Sequence, residues 1–127
     1  MNYLHVVAVL ALLQFVFFSF LVGRARGQYG VRAPAVVGHE QFERAYRVQM
    51  NTLEQLVVFL PALFLAASYW SPTVVAGIGV VYLLGRFIFW RAYMSAPASR
   101  GLGFGLTLLP TILLLLATLA GAIRTAA

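Results

Sequence analysis

The sequence FERAYRVQMNTLEQLVVFLP, residues 42–61, decides the fold, because a charged helix surface runs there directly into apolar sequence. On a helix that turns about 100° per residue, one arc of about 100° collects most of the polar side chains. These are Glu40, just before the stretch, and Glu43, Arg44, Arg47, Asn51 and Glu54 within it. Charged groups in an apolar segment are costly unless they face a partner or a ligand. The stretch therefore predicts a helix that carries a functional site.

Outside this stretch the composition is that of a membrane protein. Hydrophobic residues occupy 62% of the 127 positions and charged residues only 9%, against about 25% in soluble domains. A hydrocarbon core about 30 Å thick requires about 20 apolar residues per helix, and the chain contains four such runs. These runs are continuous and do not alternate, which argues against a transmembrane β-barrel.

The sequence therefore predicts an all-α, polytopic membrane protein, a four-transmembrane-helix bundle that forms a single domain. The expected domain is 1–127, with spans at about 3–22, 39–69, 73–95 and 104–123. Pro61 is expected to bend the second helix, because proline lacks a backbone N–H. Three glycines of the third span are expected to allow close helix contact, namely Gly77, Gly79 and Gly85. No chemistry is predicted for the apolar segment 107–121.

The arginines predict the orientation of the chain in the membrane. Five of them lie in the loop after span 1 and the start of helix 2, namely Arg24, Arg26, Arg32, Arg44 and Arg47. By the positive-inside rule, the loops after spans 1 and 3 face the cytoplasm and both termini lie outside. No basic residue precedes Arg24, so the first span is expected to remain as a helix and not to be a signal peptide. The compact chain, without a C-terminal retrieval signal, favours a bacterial inner membrane.

Several kinds of function are disfavoured by composition. The net charge of +6 does not indicate nucleic acid, because the basic residues are all arginines at the ends of apolar spans. The absence of cysteine excludes disulfides, thiolate nucleophiles and cysteine-based metal sites. His5 and His39, the two histidines, are far apart in sequence, so no metal site is predicted.

Glu54 and Arg86 both fall deep within apolar spans, where an unpaired charge costs about 2.5–3.5 kcal/mol. One interpretation is a structural ion pair between helices 2 and 3. The other is a polar pocket for a zwitterionic ligand, which Arg47 and Asn51 favour because a structural pair needs no further polar neighbours. Arg86, Tyr93 and Arg100 recur every seven residues and share a helical face if the third helix continues through Pro97.

The chain resembles the MAPEG family, the membrane-associated proteins of eicosanoid and glutathione metabolism. The resemblance rests on FERAYRVQMNTLEQ at 42–55, on GRFIFWRAYMSAPASR at 85–100, and on four spans at the family's spacing. It covers nearly the whole chain. It implies a homotrimer of four-helix subunits that binds glutathione between neighbouring subunits at the cytoplasmic side.

The resemblance also implies roles for individual residues. The glutathione-binding positions would be Arg26, Arg47, Gln49, Asn51, Glu54, Arg86 and Tyr93. Arg100 matches the catalytic arginine that holds the glutathione thiolate. Two positions depart from catalytic members of the family: Phe89 replaces a tyrosine, and Gly27 replaces a second loop arginine proposed to assist proton transfer.

The resemblance implies a membrane glutathione S-transferase that stabilises the thiolate for attack on a lipophilic electrophile, with peroxidase activity towards lipid hydroperoxides as a further expectation. Glutathione would be the co-substrate, membrane lipid would surround the protein, and no metal would take part. One alternative is a non-catalytic member that binds lipid or glutathione. Another is a small four-span exporter, although such proteins carry an essential glutamate in the first helix, and span 1 here has no acidic residue.

Overall fold

The computed structural model describes residues 2–126, which fold into four long α-helices and no strand. The helices are α1 (Tyr3–Tyr29), α2 (Glu40–Ala67), α3 (Pro72–Ser95) and α4 (Gly101–Ala126), with a 3-10 turn at Pro97–Ser99 before α4. Each of the four is long and apolar enough to cross a membrane. The predicted all-α fold of four membrane-spanning helices is confirmed.

The first helix is longer than the apolar pattern indicated. It continues past residue 22 through Arg24 and Arg26 and ends at Gly30, which has a left-handed φ of 69°. Glycine accepts this conformation without the steric cost that a Cβ would bring, so it ends the helix. The apolar pattern marks only the part of a helix that lies in lipid, and α1 carries its arginines on additional turns.

The third helix ends before the position of Arg100. Ala96 is extended, with φ −155° and ψ 102°, because the following Pro97 disfavours helical backbone at the preceding residue. The expectation that Arg86, Tyr93 and Arg100 share a face of one continuous helix is therefore wrong. Arg100 instead lies on the turn into α4, which begins three residues earlier than the span predicted at 104.

Close packing of α3 depends on small residues. A Cβ on Gly79 would lie 2.7 Å from Val7 of α1, and a Cβ on Gly85 would lie 2.7 Å from the backbone of Leu106 in α4. The corresponding position on Gly77 has no atom within 4 Å. Gly79 and Gly85 thus allow the close contacts expected from sequence, whereas Gly77 makes no such contact within residues 2–126.

The helices meet differently at the two ends of the bundle. At the end where α2 turns into α3, the Trp70 indole N–H donates to the Ala117 carbonyl of α4 at 2.7 Å. The Arg124 guanidinium lies 4.7 Å from the same indole ring, and Gly121 packs against Tyr69. We call these contacts the Trp70 clasp. The other end, where α1 leads into α2 and α3 into α4, contains the polar residues described next.

Candidate functional site

Arg86 of α3 is the largest fully buried side chain in residues 2–126, with no exposed surface. Its Nη1 donates to Asn51 Oδ1 at 2.8 Å, and its Nη2 donates to Thr52 Oγ1 at 2.9 Å. Thr107 Oγ1 lies 3.5 Å from Nη1, and the guanidinium carbon lies 4.3 Å from the centre of the Phe89 ring. Arg86 therefore links α2, α3 and α4 at one level of the bundle.

The two threonines can accept from Arg86 because their own protons are already used. Thr52 Oγ1 donates to the Val48 carbonyl at 2.7 Å, and Thr107 Oγ1 donates to the Gly103 carbonyl at 2.8 Å. Each hydroxyl then presents lone pairs to the guanidinium, which can only donate. No chemistry is predicted from sequence for 107–121, but its first residue, Thr107, contacts the Arg86 guanidinium.

The ion pair between Glu54 and Arg86, one of the two interpretations of these residues, is absent from the described part of the chain, residues 2–126, where Arg44–Glu40 is the sole salt bridge. Glu54 is exposed on α2. Glu54 cannot reach Arg86 because the two lie on different sides of α2. Thr52 faces Arg86, and Glu54, two residues further on, lies about 200° around the helix. The pocket interpretation is the one compatible with this geometry.

Next to Arg86, a polar cleft of about 610 Å³ opens between the ends of α2, α3 and α4. Its lining consists of Arg47, Asn51, Phe89, Tyr93, Ala98, Arg100, Gly101 and Phe104. Two arginines face it and no acidic residue lines it, so its charge favours an anionic ligand. Arg100 Nη1 donates to the Pro97 carbonyl at 2.9 Å, which fixes one edge of that guanidinium.

Four of the predicted site residues line this cleft together, namely Arg47, Asn51, Tyr93 and Arg100. Arg86 lies beneath it and reaches it only through Asn51 and Phe89. Because Arg86 can only donate, Asn51 must present its amide oxygen to Arg86. The Asn51 NH2 group is then the part of this side chain that remains for a ligand.

The other three predicted site residues do not line the cleft. Arg26 donates to the Ala35 carbonyl at 2.7 Å, and Gln49 Nε2 donates to Ser19 Oγ of α1 at 3.0 Å. Glu54 lies on the same face of α2 as Arg47, two turns further along the helix. Within one chain, the predicted residues therefore form a cleft group, Glu54 on the Arg47 face of α2, and a separate pair, Arg26 and Gln49, on the α1–α2 side.

Sequence reasoning missed Thr52 and Thr107 as parts of the site. Both are hydroxyl side chains in otherwise apolar stretches, and polar groups in such segments commonly hydrogen-bond across helices. That signal was weak because Thr111, Thr118 and Thr125 in α4 bond only to their own helix. Only the position of Arg86 distinguishes Thr107 from them.

The fold and this site together define an integral, multi-pass membrane protein with a polar, cationic cleft at one end of its helix bundle. A family model described as MAPEG family matches residues 4–120. The chain belongs to the MAPEG family, as its two motifs indicated.

Relatives within the family are similar along most of the chain. An uncharacterised protein of Synechocystis is 45% identical over 113 residues, covering 89% of this chain and 82% of that protein. Human microsomal glutathione S-transferase 2 is 37% identical over 120 residues, covering 94% of this chain and 80% of that protein. Guinea pig (Cavia porcellus) leukotriene C4 synthase is 36% identical over 97 residues, covering 76% of this chain and 65% of that protein.

Proposed function

We propose that this chain is a membrane glutathione S-transferase whose polar cleft binds glutathione and stabilises its thiolate. The observation that carries the proposal is the convergence of Arg47, Asn51, Tyr93 and Arg100 on one cleft with no acidic residue in its lining. The names of the relatives, microsomal glutathione S-transferase 2 and leukotriene C4 synthase, support the same chemistry.

Glutathione fits the cleft by charge. It carries two carboxylates and one ammonium group, so the Arg47 guanidinium would bind a carboxylate. The Asn51 NH2 group would donate to a peptide carbonyl or carboxylate oxygen, and Glu54 would meet the ammonium group from the same face of α2. Tyr93 would hydrogen-bond to the ligand from α3.

Arg100 is the proposed catalytic residue. A free thiol has a pKa of about 8.5 and is largely protonated at neutral pH, and a nearby guanidinium favours the thiolate. Each unit by which the thiol pKa falls corresponds to about 1.4 kcal/mol of preferential thiolate stabilisation. The hydrogen bond from Arg100 to the Pro97 carbonyl leaves its remaining N–H groups free to face the sulfur.

The reaction needs no covalent enzyme intermediate. The thiolate attacks an electrophilic carbon of a lipophilic substrate, a C–S bond forms, and the displaced group leaves with its electron pair. With a lipid hydroperoxide, the thiolate attacks the terminal oxygen and the O–O bond breaks. This gives a sulfenic acid and an alkoxide that takes up a proton, and a second glutathione reduces the sulfenic acid to disulfide and water.

Arg26 and Gln49 enter the proposal through a neighbouring copy. They lie on the α1–α2 side of the bundle, away from the cleft of their own chain. In a homotrimer, the α1–α2 side of one subunit would face the cleft of the next, so that each site takes residues from two chains.

We also propose that the cleft faces the cytoplasm and that both termini lie outside, since Arg24, Arg26 and Arg32 lie at the cleft end. The similarity to a Synechocystis protein supports a bacterial inner membrane. The chain has no cysteine, so single cysteines can report the orientation. In spheroplasts, a membrane-impermeant maleimide should label Ser68→Cys and spare Ala35→Cys, and the reverse pattern would contradict the orientation.

The decisive experiment is stopped-flow measurement of thiolate absorbance in the near ultraviolet after mixing glutathione with purified protein. Wild type should show a thiolate signal and turn over 1-chloro-2,4-dinitrobenzene, whereas Arg100→Ala should lose the signal while still binding glutathione. Arg32→Ala is the matched control, because Arg32 is exposed in the loop before α2 and does not line the cleft.

The alternative function is a non-catalytic protein that binds glutathione or lipid. It is favoured by Phe89, which lines the cleft and has no hydroxyl to offer a ligand. Folded wild-type protein that binds glutathione in calorimetry but gives neither thiolate signal nor turnover would exclude the transferase and support this alternative.

A further inference from the structure

A second cavity lies between α1, α2 and α3 and shares no lining residue with the polar cleft. Its volume is about 220 Å³, below the roughly 300–1,000 Å³ typical of pockets for drug-sized ligands. Its apolar wall includes Phe18, Leu21, Val48 and Trp90. We call this cavity the Arg24 groove, after the one charged residue that lines it. The size and the wall fit a single hydrocarbon chain better than a ring system.

Polar side chains gather at one end of the Arg24 groove. Arg24, Gln28 and Gln41 line it together with the apolar wall, and no acidic residue lines it. Within residues 2–126 the side chains of these three make no hydrogen bond, and Arg24 has no ion pair. An exposed cation with two amides beside it complements an anionic head group such as a carboxylate.

The apolar wall continues from the groove along α1 and α3. Trp90 lies 5.4 Å from Phe17 and 6.4 Å from Phe87, measured between ring centres, and Phe17 and Phe87 are both exposed. Phe17 is seven residues before Arg24, which corresponds to about 10 Å along the helix axis. A chain anchored at Arg24 would therefore run over aromatic rings and away from the polar end of the bundle.

We propose that the Arg24 groove binds a single-chain anionic amphiphile of the fatty-acid class, which enters from the bilayer. Its carboxylate binds Arg24 with the amides of Gln28 and Gln41, and its hydrocarbon chain lies against Phe18 and Trp90. An apolar stem with one anionic end matches both parts of the groove, whereas glutathione has no apolar part for this wall. The site is separate from the proposed glutathione cleft and does not depend on the function assigned to that cleft.

The chain itself supplies a reporter for the test. It has two tryptophans, and Trp70 lies at the opposite end of the bundle. The substitution Trp70→Phe therefore leaves Trp90, in the groove wall, as the only tryptophan. This protein is reconstituted in nanodiscs of zwitterionic lipid and titrated with a brominated fatty acid, which quenches tryptophan fluorescence on contact. The pH is kept high enough for the carboxylate to be ionised.

We expect saturable quenching of Trp90 by the acid, with about ten-fold weaker apparent affinity for the brominated methyl ester. Arg24→Gln should weaken the apparent affinity for the acid by a similar factor and leave the apparent affinity for the ester unchanged. Arg32→Gln, which removes the same charge outside the groove, should have no effect. The acid–ester comparison is also made in protein with both tryptophans, so that it does not depend on any substitution being tolerated.

Three results would overturn the proposal. Quenching that rises linearly with bromolipid content, equally for acid, ester and Arg24→Gln, would mean that Trp90 meets only bulk lipid. Absence of quenching would mean that the groove is closed to lipid, for example by a neighbouring subunit. Equal saturable quenching by a brominated two-chain anionic phospholipid would contradict the assignment to a single-chain ligand.

Discussion

Asn51 has two different partners in the proposed site, one on each side of its amide. Its oxygen accepts from Arg86 at 2.8 Å, and its NH2 group is left to the polar cleft. In the proposed site, Arg86 would act as a positioning residue, because its guanidinium determines which end of the Asn51 amide faces the cleft. We therefore expect the binding geometry to depend on this buried side chain.

The substitution Asn51→Asp separates these two roles. A carboxylate keeps the acceptor for Arg86 and strengthens that bond, but it replaces the NH2 donor with an oxygen that repels the glutathione carboxylates. We expect the glutathione Kd to rise at least ten-fold, about 1.4 kcal/mol, while thermal stability is retained or increased. Calorimetric titration measures the glutathione Kd, and thermal unfolding measures the stability. Unchanged Kd in the folded variant would contradict the assignment of the NH2 group to the ligand.

Arg86→Lys tests the buried network itself. A lysine ammonium is a compact charge and cannot reproduce the planar fork that reaches Asn51 and Thr52 at once. We expect a loss of about 2 kcal/mol in the free energy of unfolding, the value of one hydrogen bond to a charged group. SDS titration followed by tryptophan fluorescence measures it, with Arg91→Lys, exposed on the same helix, as control. Equal stability of Arg86→Lys and wild type would show that the fork is not needed.

Among the helices, α3 and α4 are held at a distance set by glycine. A Cβ on Gly103 would clash with the backbone of Phe89, directly below the cleft, and a Cβ on Gly85 would press on Leu106. Tyr93 of α3 and Phe104 of α4 both line the cleft. The width of the cleft is therefore coupled to the presence of small residues at the contact.

Gly103→Ala should force α4 away from α3 and cost about 1–3 kcal/mol of stability, the usual range for overpacking. Gly105→Ala is the matched control, because a Cβ there has no atom within 4 Å and alanine is the better helix former. Thermal unfolding of both variants, with glutathione affinity measured alongside, tests the coupling. Gly103→Ala as stable as Gly105→Ala would contradict it.

The helices were more predictable from sequence than the contacts between them. Apolar runs revealed four spans, because lipid imposes length and composition on each of them. The end of α1 at Gly30 was missed because its last turns are polar, as the start of α2 also is. Whether Arg86 pairs with Glu54 or with Asn51 depends on the rotation of α2 against α3. That rotation is set by packing of Thr52, Phe59 and their neighbours, which no single helix encodes.

At the scale of the assembly, the proposed trimer predicts complementation between defective subunits. Arg26→Ala disables the side of a subunit that serves its neighbour, and Arg100→Ala disables the subunit's own cleft. In a ring of three, every mixed trimer has one intact site of three, so mixed trimers should regain about a third of wild-type turnover.

The measurement is turnover of co-expressed, doubly tagged protein purified through both tags in sequence and compared with each variant alone. As a control, Arg100→Ala is co-expressed with Arg32→Ala, which leaves the proposed sites untouched. The turnover of these mixed trimers shows the activity expected when only the Arg100→Ala subunits are defective. If mixed Arg26→Ala and Arg100→Ala trimers recover no activity, each site is built within one chain and the shared-site proposal is wrong.

The Trp70 clasp has a consequence for how the molecule exchanges its ligands. With α4 tied to the α2–α3 turn at that end, the helices can spread more easily where the polar cleft lies than where Trp70 holds them. We therefore expect the water-soluble reactant and its charged conjugate to enter and leave through the same opening, at the cleft end of the bundle. Under the proposed transferase function, the conjugate is released on the side from which glutathione entered, and its export requires another protein.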